Sequence, residues 1–158
     1  MLASGRIVRV LAIAAAALAV GAAPAAASTV YTSTNSSAGN AVQTFDRAPD
    51  GSLTLGASFA TGGTGTGGGL GNQGAVVLDG ARERLFVVNA GSDQITSFGV
   101  ARRGLQLRDL EASNGDRPVS LTVHGDLLYV LNAGSDEISG FRIRGSGDLR
   151  PSAARPAP

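Results

Sequence analysis

One stretch of sequence occurs twice in this chain, and the repeat restricts the folds that are open to it. Leu85–Phe98 reads LFVVNAGSDQITSF and Leu128–Phe141 reads LYVLNAGSDEISGF, with nine of 14 positions identical at an offset of 43 residues. A weaker copy lies upstream in Val30–Asn35 and Ala41–Phe45, followed by the turn sequence Asp50–Leu53. Self-similarity at this period is typical of architectures in which each repeat is one supersecondary unit.

Each repeat has the pattern of β-strands joined by tight turns. Leu85–Val88 is a short apolar run typical of buried strands, and Gln94–Val100 contains polar–apolar alternation. The Asn-Ala-Gly-Ser-Asp between them predicts a turn, because Gly accepts positive φ and Asn and Asp bond to their own backbone. A strand before this hairpin (Ala75–Asp79, Val119–Val123) and one after it (Leu105–Leu110) make four strands, the content of a β-propeller blade. No helical apolar rhythm follows residue 27.

The first 27 residues predict an export signal. Arg6 and Arg9 form a short positive segment, Val10–Ala23 is an apolar run, and Ala25–Ala27 supplies the small residues that signal peptidase requires. We expect cleavage before Ser28 and a secreted protein, extracellular or periplasmic, with no membrane contact after cleavage. A membrane anchor is the alternative, but a spanning helix needs about 20 apolar residues.

The composition excludes several classes of function. All 13 basic residues are Arg, which excludes a Walker-type phosphate loop and Schiff-base chemistry, because both need the amine of Lys. Removal of two Arg with the signal leaves 11 Arg against 12 acids, a balance that argues against a nucleic-acid partner. The chain has no Cys and therefore no disulfide, thiolate nucleophile or sulfur-ligated zinc. We expect no cofactor and no metal.

The repeat residues resemble the seven-bladed β-propeller lactonase family, which includes 6-phosphogluconolactonases. The resemblance rests on the apolar strand, the Asn-Ala-Gly-Ser-Asp turn with the following Ile-x-x-Phe, the Asp-Gly-Ser-Leu turn, and the Gly-rich run leading into Gln73–Leu78. It covers Thr29 to about Leu149, so we assign residues 28–150 to a partial propeller and residues 151–158 to a disordered tail. The resemblance implies hydrolysis of a small lactone or related sugar acid, although fold alone does not establish activity.

The length predicts an incomplete ring. Without residues 1–27 the chain has 131 residues, or about 2.5–3 four-stranded blades, whereas seven blades need about 300. We expect the first blade to lack its innermost strand, because the sequence from Ser28 begins directly with the second. The fold class is therefore all-β, a partial propeller with one uncovered blade face and with open blade edges through which copies could associate.

Two residues near the third blade are the candidates for chemistry. Active members of the resembled family tend to carry His in the segment leading into an inner strand, but here those segments read Asn72–Ala75 and Arg117–Ser120. Arg117 could face the propeller axis and hold an anionic substrate. His124, the only His, could act as general acid or base, although we expect it in a turn between two strands, where His is usually solvated. No Ser-His-Asp triad and no convincing metal-ligand spacing can be assembled.

The remaining motifs favour structural explanations. Gly69–Gly74 fits G-x-G-x-x-G, but a strand rather than a helix follows it, which argues against a dinucleotide site. The wider Gly62–Gly74 lacks the Asp of calcium-binding repeats and predicts a connection between blades that could line a ligand pocket. Recurrence at one repeat position favours turn capping over ligand or metal contact for two pairs: Asn89 with Asp93, and Asn132 with Asp136.

Two functions remain open. The first is a lactonase-like hydrolase that uses Arg117 to hold the substrate and His124 as acid or base. The second is a non-catalytic exported binding or interaction propeller, or an inactive fragment of one. The missing His before the inner strands and the missing blades favour the second.

Overall fold

The chain folds into three antiparallel β-sheets of three, four and four strands. The computed structural model describes residues 28–71, 73–81 and 83–152, and within those ranges it contains no helix. The predicted signal peptide, residues 1–27, lies outside the described residues, as do residues 153–158 of the predicted tail. No helix in the described ranges is long and apolar enough to cross a membrane.

Each sheet is one propeller blade, and its strands are neighbours in chain order. Blade one contains β1 (Ser28–Ser33), β2 (Ala41–Arg47) and β3 (Leu53–Ala60). Blade two contains β4 (Val76–Leu78), β5 (Arg84–Asn89), β6 (Gln94–Ala101) and β7 (Gly104–Ala112). Blade three contains β8 (Pro118–His124), β9 (Leu127–Asn132), β10 (Glu137–Arg144) and β11 (Asp148–Pro151).

The sequence repeat is also a structural repeat. The same apolar cross-strand pair occurs in all three blades: Val30 with Phe45, Leu85 with Phe98, and Leu128 with Phe141. This equivalence makes β1 the counterpart of β5 and β9, so the described part of blade one has no strand that corresponds to β4 and β8. The prediction of an all-β partial propeller is confirmed, with three strands in the first blade.

The hydrophobic cores lie between blades. The core between blades one and two contains Val42, Leu85, Val87, Phe98 and Leu105. The core between blades two and three contains Phe86, Val88, Ile95, Leu121, Leu128, Val130, Phe141, Ile143 and Leu149. Alternate residues of a strand point to opposite faces, so blade two contributes side chains to both cores. All of Leu85–Val88 is therefore at most 1% exposed, which explains why this segment reads as a continuous apolar run.

Among the described residues two blade faces have no partner blade, whereas the sequence predicted one uncovered face. We call the face of blade three that points away from blade two the leading face, and the face of blade one that points away from blade two the trailing face. Large apolar side chains are exposed on each, with Tyr129, Leu131 and Ile138 on the leading face and Val30, Leu53 and Leu55 on the trailing face. Both end blades of an open arc must present such a face.

Two positions differ from the sequence-based expectation. His124 is the last residue of β8 and pairs with Leu127, so it is a strand residue; the turn that follows contains only Gly125 and Asp126. Pro151 is the last residue of β11 and pairs with Phe141, so strand structure extends one residue into the predicted tail. Pro is tolerated at this position because β11 is an edge strand.

Candidate ligand-binding face

The loops of the blades emerge on two opposite faces of the molecule. The first, here called the crossover face, carries the connections from β3 to β4 and from β7 to β8, together with the turns β1–β2, β5–β6 and β9–β10. The second, here called the turn face, carries the remaining turns. The predicted role of Gly62–Gly74 as a connection between blades one and two is confirmed, since this stretch lies between β3 and β4.

The structure places the two candidate residues on opposite faces. Arg117 directly precedes β8 on the crossover face, and His124 ends the same strand on the turn face. Both side chains are exposed. At about 3.3 Å per strand residue, the seven steps between them span about 23 Å. Arg117 and His124 therefore cannot contact one small substrate together.

Arg117 has a constrained backbone. Its φ is 50°, in the left-handed region that costs a non-glycine residue about 1–3 kcal/mol. Two neighbouring turns hold it there: its N–H donates to Asp93 Oδ1 at 2.7 Å, and its carbonyl accepts the N–H of Ala133 at 3.0 Å. The guanidinium forms no ion pair with any described residue. The arrangement leaves a cation at the entrance to an inner strand, with its main chain fixed between blades two and three.

Backbone strain concentrates on this face. Within the described ranges, five non-glycine residues have positive φ, and all lie in crossover-face loops: Asn35, Asp93, Asn114, Arg117 and Asp136. Asp93 and Asp136 occupy the same repeat position with φ values of 54° and 55°, as expected for a turn that recurs in each blade. Strained backbone of this kind is found preferentially at binding and catalytic sites, although turn geometry alone accounts for the two Asp residues.

Beneath the crossover face a buried polar network joins blades one and two. Asn89 Oδ1 accepts bonds from Asn40 Nδ2 at 2.9 Å and from the Thr61 hydroxyl at 2.7 Å. Asn89 Nδ2 donates to Thr96 Oγ1 at 2.8 Å, and Thr96 donates in turn to the Thr61 carbonyl at 2.9 Å. All four residues are at most 2% exposed. The network holds the β3–β4 connection against the turns of the first two blades.

The equivalent network in blade three is incomplete. Asn132 Nδ2 donates to Ser139 Oγ at 2.9 Å, as Asn89 does to its counterpart, but the buried Asn132 Oδ1 has no hydrogen-bond partner. Both donors that Asn89 Oδ1 uses have counterparts that bond elsewhere. The position of Asn40 in blade one is Asp93 in blade two, whose carboxylate accepts the N–H of Arg117. The position of Thr61 is Ser113, whose hydroxyl donates to the Gly115 carbonyl.

Two glycines let the connecting loops approach these asparagines closely. A Cβ at Gly63 would lie 2.6 Å from Asn89 Nδ2, and a Cβ at Gly115 would lie 2.6 Å from Asn132 Nδ2. Both distances are shorter than van der Waals contact permits. Close approach of backbone therefore explains part of the glycine content of the connections.

The turn face carries the ion pairs found among the described residues, Arg84 with Asp79 and Arg142 with Asp126. Burial of Asp79 opposes its ionisation, but hydrogen bonds from the Arg84 side chain and from the N–H groups of Glu83 and Arg84 outweigh burial and lower the pKa of Asp79.

A cavity of about 260 Å³ also opens on the turn face between blades one and two, beside Tyr31 and Asp46. The described residues contain no His, Asp or Glu cluster that could hold a metal ion.

Sequence reasoning missed Asn40 and Thr61, which complete the network around Asn89. A signal existed for Asn40, because the alignment of Ala41–Phe45 with Gln94–Phe98 places it opposite Asp93. A signal existed for Thr61 as well, because Ala60–Gly63 (ATGG) resembles Ala112–Gly115 (ASNG), and the N–H groups of Thr61 and Ser113 donate to carbonyls at the same repeat position. Only the tertiary structure shows that the Thr61 hydroxyl reaches Asn89.

Comparison with known proteins agrees with this architecture. One family model, described as lactonase, 7-bladed beta-propeller, matches residues 26–157. No curated protein matches the chain.

Three solved structures illustrate the similarity. The periplasmic gluconolactonase PpgL of Pseudomonas aeruginosa superposes with a TM-score of 0.59 at 23% identity, covering 71% of this chain and 32% of that one. A functionally unknown protein from Desulfotomaculum acetoxidans gives 0.60 at 24% identity, covering 74% and 35%. A Lactobacillus plantarum protein gives 0.61 at 16% identity, covering 78% and 37%. The chain thus spans about a third of the length of each of these propellers.

Proposed function

Because this chain belongs to the lactonase, 7-bladed β-propeller family, we propose that it is an exported propeller that binds a small lactone on its crossover face and hydrolyses it there. The observation that carries the proposal is Arg117, a cation whose backbone is held in a strained conformation at the start of an inner strand. A gluconolactonase among the similar structures supports a sugar lactone as the substrate class.

The chemistry requires one water and one base. The water oxygen bonds to the lactone carbonyl carbon, the ring C–O bond breaks, and the leaving oxygen takes up a proton to give a hydroxy acid. A general base must accept the water proton from within hydrogen-bond reach. His124 lies too far from Arg117 for this role, so the base on this face is a carboxylate. Asp93 uses Oδ1 for the Arg117 N–H, which leaves Oδ2 for water, and Asp116 adjoins Arg117 in the chain.

We assign Arg117 to holding an anionic group of the substrate or of the product acid. Arg forms paired, charge-assisted hydrogen bonds with carboxylates and phosphates, so it favours a sugar-acid lactone over a neutral ester. This assignment retains the role expected for Arg117 from the sequence and drops His124 as its partner.

Binding without catalysis is the second candidate function. It is supported by the position of the only His, His124, on the turn face, which leaves the crossover face without an imidazole.

Hydrolysis of D-glucono-δ-lactone, followed by acid release at constant pH above the spontaneous rate, separates the two functions. We expect Arg117→Ala to raise KM by about tenfold or more, in line with loss of a charged hydrogen bond of about 1.5–3 kcal/mol. Arg103→Ala, which removes an exposed arginine from the turn face, is the matched control and His124→Ala the second; both are expected to leave the rate unchanged. Calorimetric titration with gluconate then tests binding if no hydrolysis occurs. Absence of both activities would refute the proposal.

Export is tested on the same preparation. Intact-mass measurement of protein recovered from the periplasm or medium of an expressing bacterium should give a chain that begins at Ser28. A cytoplasmic chain that retains residues 1–27 would contradict this part of the proposal.

A further inference from the structure

The leading face of blade three exposes apolar side chains that the fold buries elsewhere. Tyr129, Leu131 and Ile138 are 45%, 42% and 71% exposed. Residues at the same repeat positions in blade two are at most 1% exposed, because blade three covers them: Phe86, Val88 and Ile95. The Tyr129 ring lies over Gly140, and a shallow cavity of about 120 Å³ opens beside Leu131 and Ile138. Contiguous exposed apolar surface of this kind marks an interaction site.

The trailing face of blade one is the counterpart surface. Val30 and Leu55 are 37% and 68% exposed, and Phe45 pairs with both of them across the sheet. The positions of Val30 and Phe45 are those of Leu85 and Phe98 in blade two, which lie in the core against blade one. Each of the two internal interfaces joins the leading side of one blade to the trailing side of the next.

We propose that a second copy of this chain covers these faces, with the leading face of blade three in one copy packed on the trailing face of blade one in the next. The occupant follows from the internal interfaces: the surface that covers a leading face in this fold is a trailing face, and each copy presents one of each. The two patches differ, so the contact is heterologous and either closes into a ring or extends as a filament. Two copies contribute six blades, within the range of about 4–8 that propeller rings contain.

The contact uses blade faces, whereas the sequence predicted association through blade edges. Backbone hydrogen bonding at an edge would be insensitive to side chains on the face, which allows the two modes to be separated. The proposal rests on blade packing and does not depend on lactone hydrolysis.

Molar mass by light scattering after size exclusion, on the whole chain as purified, is the test. The leading-face variant is Ile138→Arg and the trailing-face variant is Val30→Arg, because the counterparts of these residues in blade two, Ile95 and Leu85, are fully buried by the neighbouring blades. Both side chains are exposed, so each variant should retain the β-sheet circular dichroism of the parent. Leu107→Arg, at a 51% exposed position of blade two, is the matched control. We expect the parent and the control to have the mass of two or more chains, and each face variant to have the mass of one.

Mixing the two variants gives the decisive result. The Ile138→Arg copy retains an intact trailing face and the Val30→Arg copy an intact leading face, so an equimolar mixture should form a dimer that cannot grow further. A parent that is a folded monomer would overturn the proposal. Association that survives both substitutions, or a mixture that stays monomeric, would overturn it as well. A parent that precipitates supports the proposal if both variants are soluble monomers, and contradicts it if they precipitate too.

Discussion

Replacing Asn89 with alanine tests whether the buried network beneath the crossover face stabilises the fold. The change removes three hydrogen bonds, two accepted by Oδ1 at 2.9 and 2.7 Å and one donated by Nδ2 at 2.8 Å. The Thr61 hydroxyl, which has one proton, can donate to the Asn40 carbonyl instead, and Thr96 still donates to the Thr61 carbonyl. Asn40 Nδ2 keeps its bond to the Val88 carbonyl, but its second N–H is left buried without an acceptor. Two lost bonds at about 1 kcal/mol each, together with about 1 kcal/mol for the unpaired N–H, give an expected loss of unfolding free energy of about 3 kcal/mol.

Asn132→Ala is the matched control, at the same repeat position of blade three. It removes the bonds that Nδ2 donates to Ser139 Oγ at 2.9 Å and to the Ser113 carbonyl at 3.3 Å. It also removes the unpaired Oδ1, whose burial costs about 1–3 kcal/mol and offsets the lost bonds. The expected net change is about 0–1 kcal/mol.

Urea unfolding followed by far-ultraviolet circular dichroism, at one protein concentration, measures both. With a slope of about 2 kcal/mol/M, the Asn89→Ala midpoint should fall by about 1–2 M and the Asn132→Ala midpoint by less than about 0.5 M. Equal losses in the two variants would refute the reasoning, because they would mean that the missing donor at Asn132 has no energetic consequence.

Three further measurements follow from the packing and the charges. Ile95→Ala should cost about 2–5 kcal/mol of unfolding free energy, since Ile95 is fully buried; a loss below about 1 kcal/mol in urea unfolding would contradict the interblade core. Because the pKa of Asp79 is lower in the folded chain than its unfolded value of about 3.9, this group stabilises the fold above about pH 4 and the contribution is lost as pH falls through the folded pKa. Asp79→Asn should therefore flatten the loss of stability between about pH 5 and 2 in acid titrations, and an unchanged profile would contradict the pKa assignment. Gly115→Ala should cost about 1–3 kcal/mol through overlap with the Asn132 side chain, and a thermal midpoint equal to that of the parent would show that the loop can move away.

Much of the fold could be predicted from the repeat, because blade geometry is local. Strand pattern, turn residues and a period of 43 residues recur together, and hairpins form between neighbours in the chain. The candidate site was less predictable. Arg117 was found from its position before an inner strand, but its left-handed backbone depends on Asp93 and Ala133, which lie in two different turns.

The sequence by itself determined the strands, their pairing within each blade and the number of blades, since these follow from residues close together in the chain. Only the tertiary structure decided which sides of the blades are buried. Ile95 and Ile138 occupy the same repeat position in nearly identical sequence, yet one is fully buried and the other is 71% exposed. The difference arises because burial depends on whether another blade follows, and that is a property of the arc rather than of the repeat.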